Sequence, residues 1–264
     1  MPELFSHAQR CLRADSIEAK LELTAAAGNI LHAPGLLLDE AVPVLTMAMP
    51  GRPPRPRLVS PRDLPRRSLA TPEGHAALIH AVAHIEFNAI DLAWDALQRF
   101  RGLPRRYYLD WAGVAMEEAR HFSLIHQHLQ GLGYRYGDFE AHNGLWEMAV
   151  KTVGDVLLRM ALVPRLLEAR GLDVTPGMMQ RLRDTGDEAG AEALATILRD
   201  EIGHVAIGDR WFRYLCARQG RDPERHFHAI LSREGLLPRP GSLNREARIK
   251  AGFSGSELDR LEQD

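Results

Sequence analysis

Two segments of this chain place an acid, a glutamate and, three positions on, a histidine: Glu117-Glu118-Ala119-Arg120-His121 and Asp200-Glu201-Ile202-Gly203-His204. On a helix, residues i and i+3 lie about 60° apart around the axis and about 4.5 Å apart along it. A carboxylate and an imidazole so spaced can face one ion from a single side. One Glu-x-x-His alone belongs to the ordinary surface of an exposed helix, but here the pattern repeats. Glu118 and Glu201 are 83 residues apart, and so are His121 and His204. A further glutamate precedes each motif at nearly the same remove, Glu86 by 32 residues and Glu168 by 33.

Residues at equal height in an antiparallel helix hairpin lie symmetrically about its turn. Glu86 and Glu118 are centred on residue 102, where Gly102 and Pro104 signal a turn, and Glu168 and Glu201 are centred beside Gly186. The candidates sit in apolar surroundings, as in Ile85-Glu86-Phe87 and Leu166-Leu167-Glu168. Carboxylates in a helical core are strongly disfavoured, or take up protons, unless something compensates them. Four carboxylates and two imidazoles converging there make sense around cations, and this donor mixture suits Fe, Mn or Zn better than Ca or Mg. One Glu from each of two helices plus Glu-x-x-His from each of two others is the di-iron or di-manganese carboxylate arrangement.

The elements needed to position these residues are legible as helices. Residues 5–31 read as one amphipathic helix. Pro50 to Arg67 is dense in Pro and Arg and reads as an extended arm. Thr71-Pro72-Glu73 is an N-cap followed by a helix-opening proline. The first bundle helix then runs to about Gly102, and the second from Pro104 to Gly131. A connection spans Gly131–Asn143. A third helix is expected from Gly144 to Arg170, interrupted at Gly171 and Pro176, and a fourth from Asp187 to Arg218. Beyond Gly220 lie a short helix at 223–233, a Pro-rich loop at 237–240 and a last helical turn or two. Val, Ile and Thr are too scattered for a sheet. The expected organisation is thus 1–70 as helix and arm, 71–219 as a four-helix bundle with a dinuclear site, and 220–264 as an extension packed on the bundle.

Composition narrows the partners. The 264 residues are 45% hydrophobic and 26% charged, with a net charge of −2, so no global field attracts nucleic acid or an anionic membrane. Only Lys20, Lys151 and Lys250 are lysines, the other basic residues being arginine. That excess fits bidentate carboxylate pairing or a bias in codon usage. The arm's Arg52, Arg55, Arg57, Arg66 and Arg67 have no interleaved aromatic residues on which bases could stack, so no nucleic-acid partner is expected. Cys11 and Cys216 lie far apart, outside any metal-ligand spacing. Without a signal-like apolar run or 18 consecutive apolar residues, the expectation is a cytoplasmic protein with no membrane span.

Over residues 71–219 the sequence resembles the ferritin-like superfamily of di-metal carboxylate proteins. The segments HAVAHIEFNAIDLAWDA, DEIGHVAIGDRWF and LLEARGLDVTP, with the Pro/Arg arm, are similar to an uncharacterised, mainly bacterial family of ferritin-like proteins. A more distant likeness is to a tRNA hydroxylase. The resemblance implies an all-α, ferritin-like four-helix bundle with an N-terminal helix and arm and a short helical C-terminal extension. It implies Glu86, Glu118, His121, Glu168, Glu201 and His204 as ligands of two metal ions, iron first, with manganese or a mixed Fe/Mn pair as alternatives. Carried over residue by residue, Glu117 would support His204, and Asp200 would support His121. His84 is read as a core histidine beside the metal ligands, and Glu147 as the substitute for Glu168 if the third helix is distorted. Asp91 and Asp95 are expected to bond arginines, and the four tryptophans to pack. The implied activity is O2-dependent oxidation or hydroxylation of a small molecule, with a metal-binding, iron-oxidising protein as the alternative. A monomer or dimer is expected. Substrate and electron donor are not readable from the residues.

Overall fold

Helix propensity and capping account for most of the chain. The computed structural model describes residues 3–239 and 241–263, so the Pro-rich loop expected at 237–240 ends on a residue outside them. Among the described residues there is no strand, only two isolated β-bridges. By internal contacts the chain divides into Met1–Lys151 and Thr152–Asp264.

In the first unit, α1 (Leu4–Arg13) and α2 (Ile17–Leu31) replace the single helix expected over 5–31. Ala14 turns extended and Ser16 caps the second helix, its Oγ accepting from Ala19 N–H at 3.1 Å. An extended stretch follows, relieved by one 3-10 turn at Pro61–Asp63. Thr71 caps α3 (Pro72–Arg99), accepting from Gly74 N–H at 3.1 Å. Gly102, at φ +68°, turns the chain into α4 (Arg105–Gly131), which packs along α3. The unit closes with α5 (Gly144–Lys151).

Two polar devices hold this unit's layers together. Lys20 on α2 pairs with Asp91 on α3, both side chains wholly buried. Asp91 therefore meets a lysine rather than the expected arginine, whereas Asp95 does accept from Arg99, at 2.7 Å. The arm is pinned along its length. Gly51 N–H donates to Leu12 O at 2.7 Å, and Gln98 exchanges two hydrogen bonds with the backbone of Leu45. Helix α3 is the one described helix long and apolar enough to cross a membrane, and 78% of its apolar window is buried inside the protein.

In the second unit, Asp155 caps α6 (Val156–Leu162), and a π-helical segment, Val163–Glu168, leads into α7 (Ala169–Asp184). Pro164 explains the π geometry, since proline lacks the N–H for an i→i−4 bond and its ring displaces the preceding carbonyl. Ala169 N–H reaches back five residues to Pro164 O. The helix does not break at Gly171 or Pro176, contrary to expectation. Proline at 176 has no N–H for Leu172 O, and the Asn244 amide donates to that carbonyl instead, at 3.1 Å.

Gly186, at φ +84°, starts the turn into α8 (Glu188–Arg218), which packs against α7 and the π segment. A Cβ at Gly208 would lie 2.2 Å from Pro164 Cβ, so this glycine lets the π segment close on α8. Helices α9 (Pro223–Glu234), α10 (Arg245–Lys250) and α11 (Gly255–Gln263) complete the unit.

Candidate metal centre

In the first unit α3 and α4 carry Glu86, Glu118 and His121 to one place. Their ligand atoms lie within 4.8 Å of one another. His121 Nδ1 is 3.3 Å from Glu86 Oε2 and 3.7 Å from Glu118 Oε2, with all three side chains buried. Phe87 and Phe122, their neighbours in sequence, pack ring on ring at 5.1 Å and are shut off from solvent. Burial by itself lowers the His121 pKa, but hydrogen bonds and charge from Glu118 and Glu86 outweigh it and raise it to about 10.

In the second unit α8 carries Glu201 and His204, with Nδ1 of the buried imidazole 3.0 Å from Glu201 Oε1. Glu168 ends the π segment, half-buried. A π turn widens the helix locally and re-aims the side chains it carries, which is why such turns recur at functional sites. Glu147, the substitute considered for Glu168, is exposed on α5. Glu117 meets Arg120 at 3.2 Å and Asp200 meets Arg199 at 3.2 Å, all four side chains at least partly open to solvent.

The DUF455 family model, described as a protein of unknown function, matches residues 13–259. The chain belongs to the DUF455 family. The match takes in every candidate ligand named above. Within DUF455 the chain is similar to an uncharacterised protein of Haemophilus influenzae. The two are 50% identical over 214 residues, covering 78% of this chain and 74% of the relative. No solved structure matches this DUF455 chain.

His84 of this DUF455 protein sits in a different polar network. Its Nδ1 lies 2.9 Å from Tyr136 Oη and its Nε2 3.0 Å from His142 O. One turn earlier, His80 Nε2 accepts from Gly137 N–H at 2.9 Å, and its ring stacks on Tyr136. Sequence spacing could not have found Tyr136 or the His142 carbonyl, because both arrive from the connection after α4.

Burial pushes both imidazoles down to about 4. The folded state therefore binds fewer protons than the unfolded chain between about pH 6.5 and 4. Their contribution is complete above the unfolded value and is lost as pH falls toward 4, on the order of 3 kcal/mol for each. The urea midpoint is expected to drop as pH falls from 6.5 to 5, above the range where ordinary carboxylates titrate. A midpoint constant down to pH 5 would contradict this.

Proposed function

We propose that this chain is a non-haem dinuclear metal protein with a ferritin-like bundle, an O2-activating oxidase or hydroxylase of a small molecule. Glu86, Glu118, His121, Glu168, Glu201 and His204 are its proposed ligands. The observation that carries the reading is the buried cluster of Glu86, Glu118 and His121. Two carboxylates and an imidazole converging in one buried place are a donor set that a cation would join. The second unit repeats the Glu-x-x-His face with a histidine closed to solvent. Carboxylate with imidazole fits iron or manganese. A pair of such ions would supply the electrons and open coordination positions that O2 chemistry needs. The chain's own part is to hold the ligands in register at a place closed to solvent.

Anaerobic titration of the full chain with Fe(II) is expected to saturate at two ions. Admission of O2 should then change the near-ultraviolet absorbance. His121→Ala and His204→Ala should each lower the bound iron. Size-exclusion mass should give a monomer or dimer, whereas a large cage would favour the iron-oxidising alternative. No retained Fe, Mn or Zn after titration would sink the proposal.

A further inference from the structure

The arm, with His84 of α3 and Tyr136, lines a half-open cavity of about 360 Å³. That volume lies within the range of small-ligand sites. Three arginines are among its lining residues, Arg52, Arg55 and Arg57. Their charges are unevenly answered. Arg57 pairs with Glu140. Arg55 has no ion pair among the described residues.

Arg52 donates to two neutral oxygens, Asn143 Oδ1 at 2.9 Å and Asn88 Oδ1 at 2.6 Å. These amides aim the guanidinium without neutralising it. Its Nε–H is buried and meets no acceptor among the described residues. A buried donor without an acceptor is unfavourable by roughly 1–3 kcal/mol, and more when charged. Asp91, the first carboxylate acting on Arg52, is already taken by Lys20.

The walls are rigid. Pro53, Pro54 and Pro56 fix the backbone between the arginines. Leu58 bridges to Ala141, with Val59 N–H donating to Ala141 O at 2.8 Å and Ala141 N–H to Arg57 O at 3.1 Å. A Cβ at Gly137 would lie 2.8 Å from Arg55 Cβ, so the loop after α4 and the arm are in close contact there. Both ring nitrogens of His84 are engaged, by Tyr136 and by the His142 carbonyl, so the floor is polar but uncharged.

We propose that this cavity binds a small oxyanion, carried by a phosphate ester or a carboxylate, between Arg52 and Arg55. Two arginines without an ion pair, Arg52 aimed by Asn88 and Asn143 and Arg55 beside it on the arm, next to a neutral floor, suit a ligand with two or more anionic oxygens. None of the proposed metal ligands lines the cavity, so the outcome here is independent of the metal reading.

Calorimetric titration of the full chain with inorganic phosphate, and separately with acetate, tests this at matched ionic strength in chloride. Saturable binding of one anion per chain is expected. Arg52→Ala and Arg55→Ala should each weaken it by about tenfold or more, the loss of one charge-assisted contact. Tighter phosphate points to a phosphate ester, and tighter acetate to a carboxylate. Arg55→Ala breaks no ion pair, so its melting temperature should stay at the wild-type value, which separates lost binding from lost folding. Arg66→Ala, on the arm but outside the cavity lining, should bind as wild type. No saturable binding of either anion, equal losses in Arg55→Ala and Arg66→Ala, or binding of a polynucleotide alone would overturn the proposal.

Discussion

Replacing Arg165 by leucine is expected to lower the melting temperature by about 10 °C. Arg165 lies in the π segment and is wholly buried. Its Nε is 3.0 Å from Asp209 Oδ1, and its Nη2 bonds Glu257 of α11. The guanidinium carbon also sits 4.6, 4.1 and 4.6 Å from the ring centres of Phe212, Phe227 and Phe253. Removing one partner from a buried ionic group leaves uncompensated charge, worth about 3–5 kcal/mol. Arg213 also reaches Asp209 and Glu257, at 2.8 and 3.1 Å, and offsets part of the loss. About 3 kcal/mol at roughly 2–4 °C per kcal/mol gives the expected shift. Arg165→Lys should fall between, because an ammonium group lacks the planar fork that serves two carboxylates at once. Thermal melts of wild type and both variants check this, and an unchanged melting temperature for Arg165→Leu refutes it. Glu168 lies three residues further along the same π segment, so this cage also ties a proposed ligand to α9 and α11.

Arg165 shows where sequence reasoning stops. In Leu162-Val163-Pro164-Arg165-Leu166-Leu167 it is a charge inside an apolar run, a visible anomaly, but its partners at 209 and 257 leave no local trace. Signals carried by neighbouring residues fared better. Thr71-Pro72 opens a helix, and Gly102 and Gly186 adopt the positive φ values that their turns require. Pro176 misled because the group that satisfies the orphaned Leu172 carbonyl, Asn244, comes from far along the chain. The division into α1 and α2 hangs on one serine oxygen inside an otherwise periodic stretch. Asp91 drew a lysine from α2 because folding, not spacing, chose its neighbour. Within the first unit, the spacing of Glu86, Glu118 and His121 was legible because one hairpin register determines it. The arm's packing on Asn88, Asn143 and Ala141 was not, since an extended segment has no periodicity to read.

Glu118→Gln is expected to raise the stability of the metal-free protein while weakening its hold on iron. In the metal-free state Glu86 and Glu118 share one imidazole, His121, whose pKa they raise to about 10 against the opposing effect of burial. A raised histidine pKa contributes stability that is complete below about pH 6.5 and is lost as pH climbs toward 10. Both carboxylates are buried, and keeping two charges there carries a desolvation cost that each must offset. Glutamine keeps the volume and a hydrogen-bonding oxygen while removing one of those charges, so a gain of about 1–2 kcal/mol at pH 7 is expected. At roughly 2–4 °C per kcal/mol this raises the melting temperature by a few degrees. With one carboxylate gone, the His121 pKa falls, and the alkaline loss of stability is smaller and ends at lower pH. Iron reverses the order, because wild type gains stability from bound Fe(II) and the variant gains less. A purely structural ion cluster predicts the opposite in the metal-free state, a loss of stability on substitution, with no dependence on iron. Melting curves of chelator-treated wild type and Glu118→Gln between pH 6 and 10, with and without anaerobic Fe(II), separate the two: opposite signs mark a metal site that folding alone does not favour.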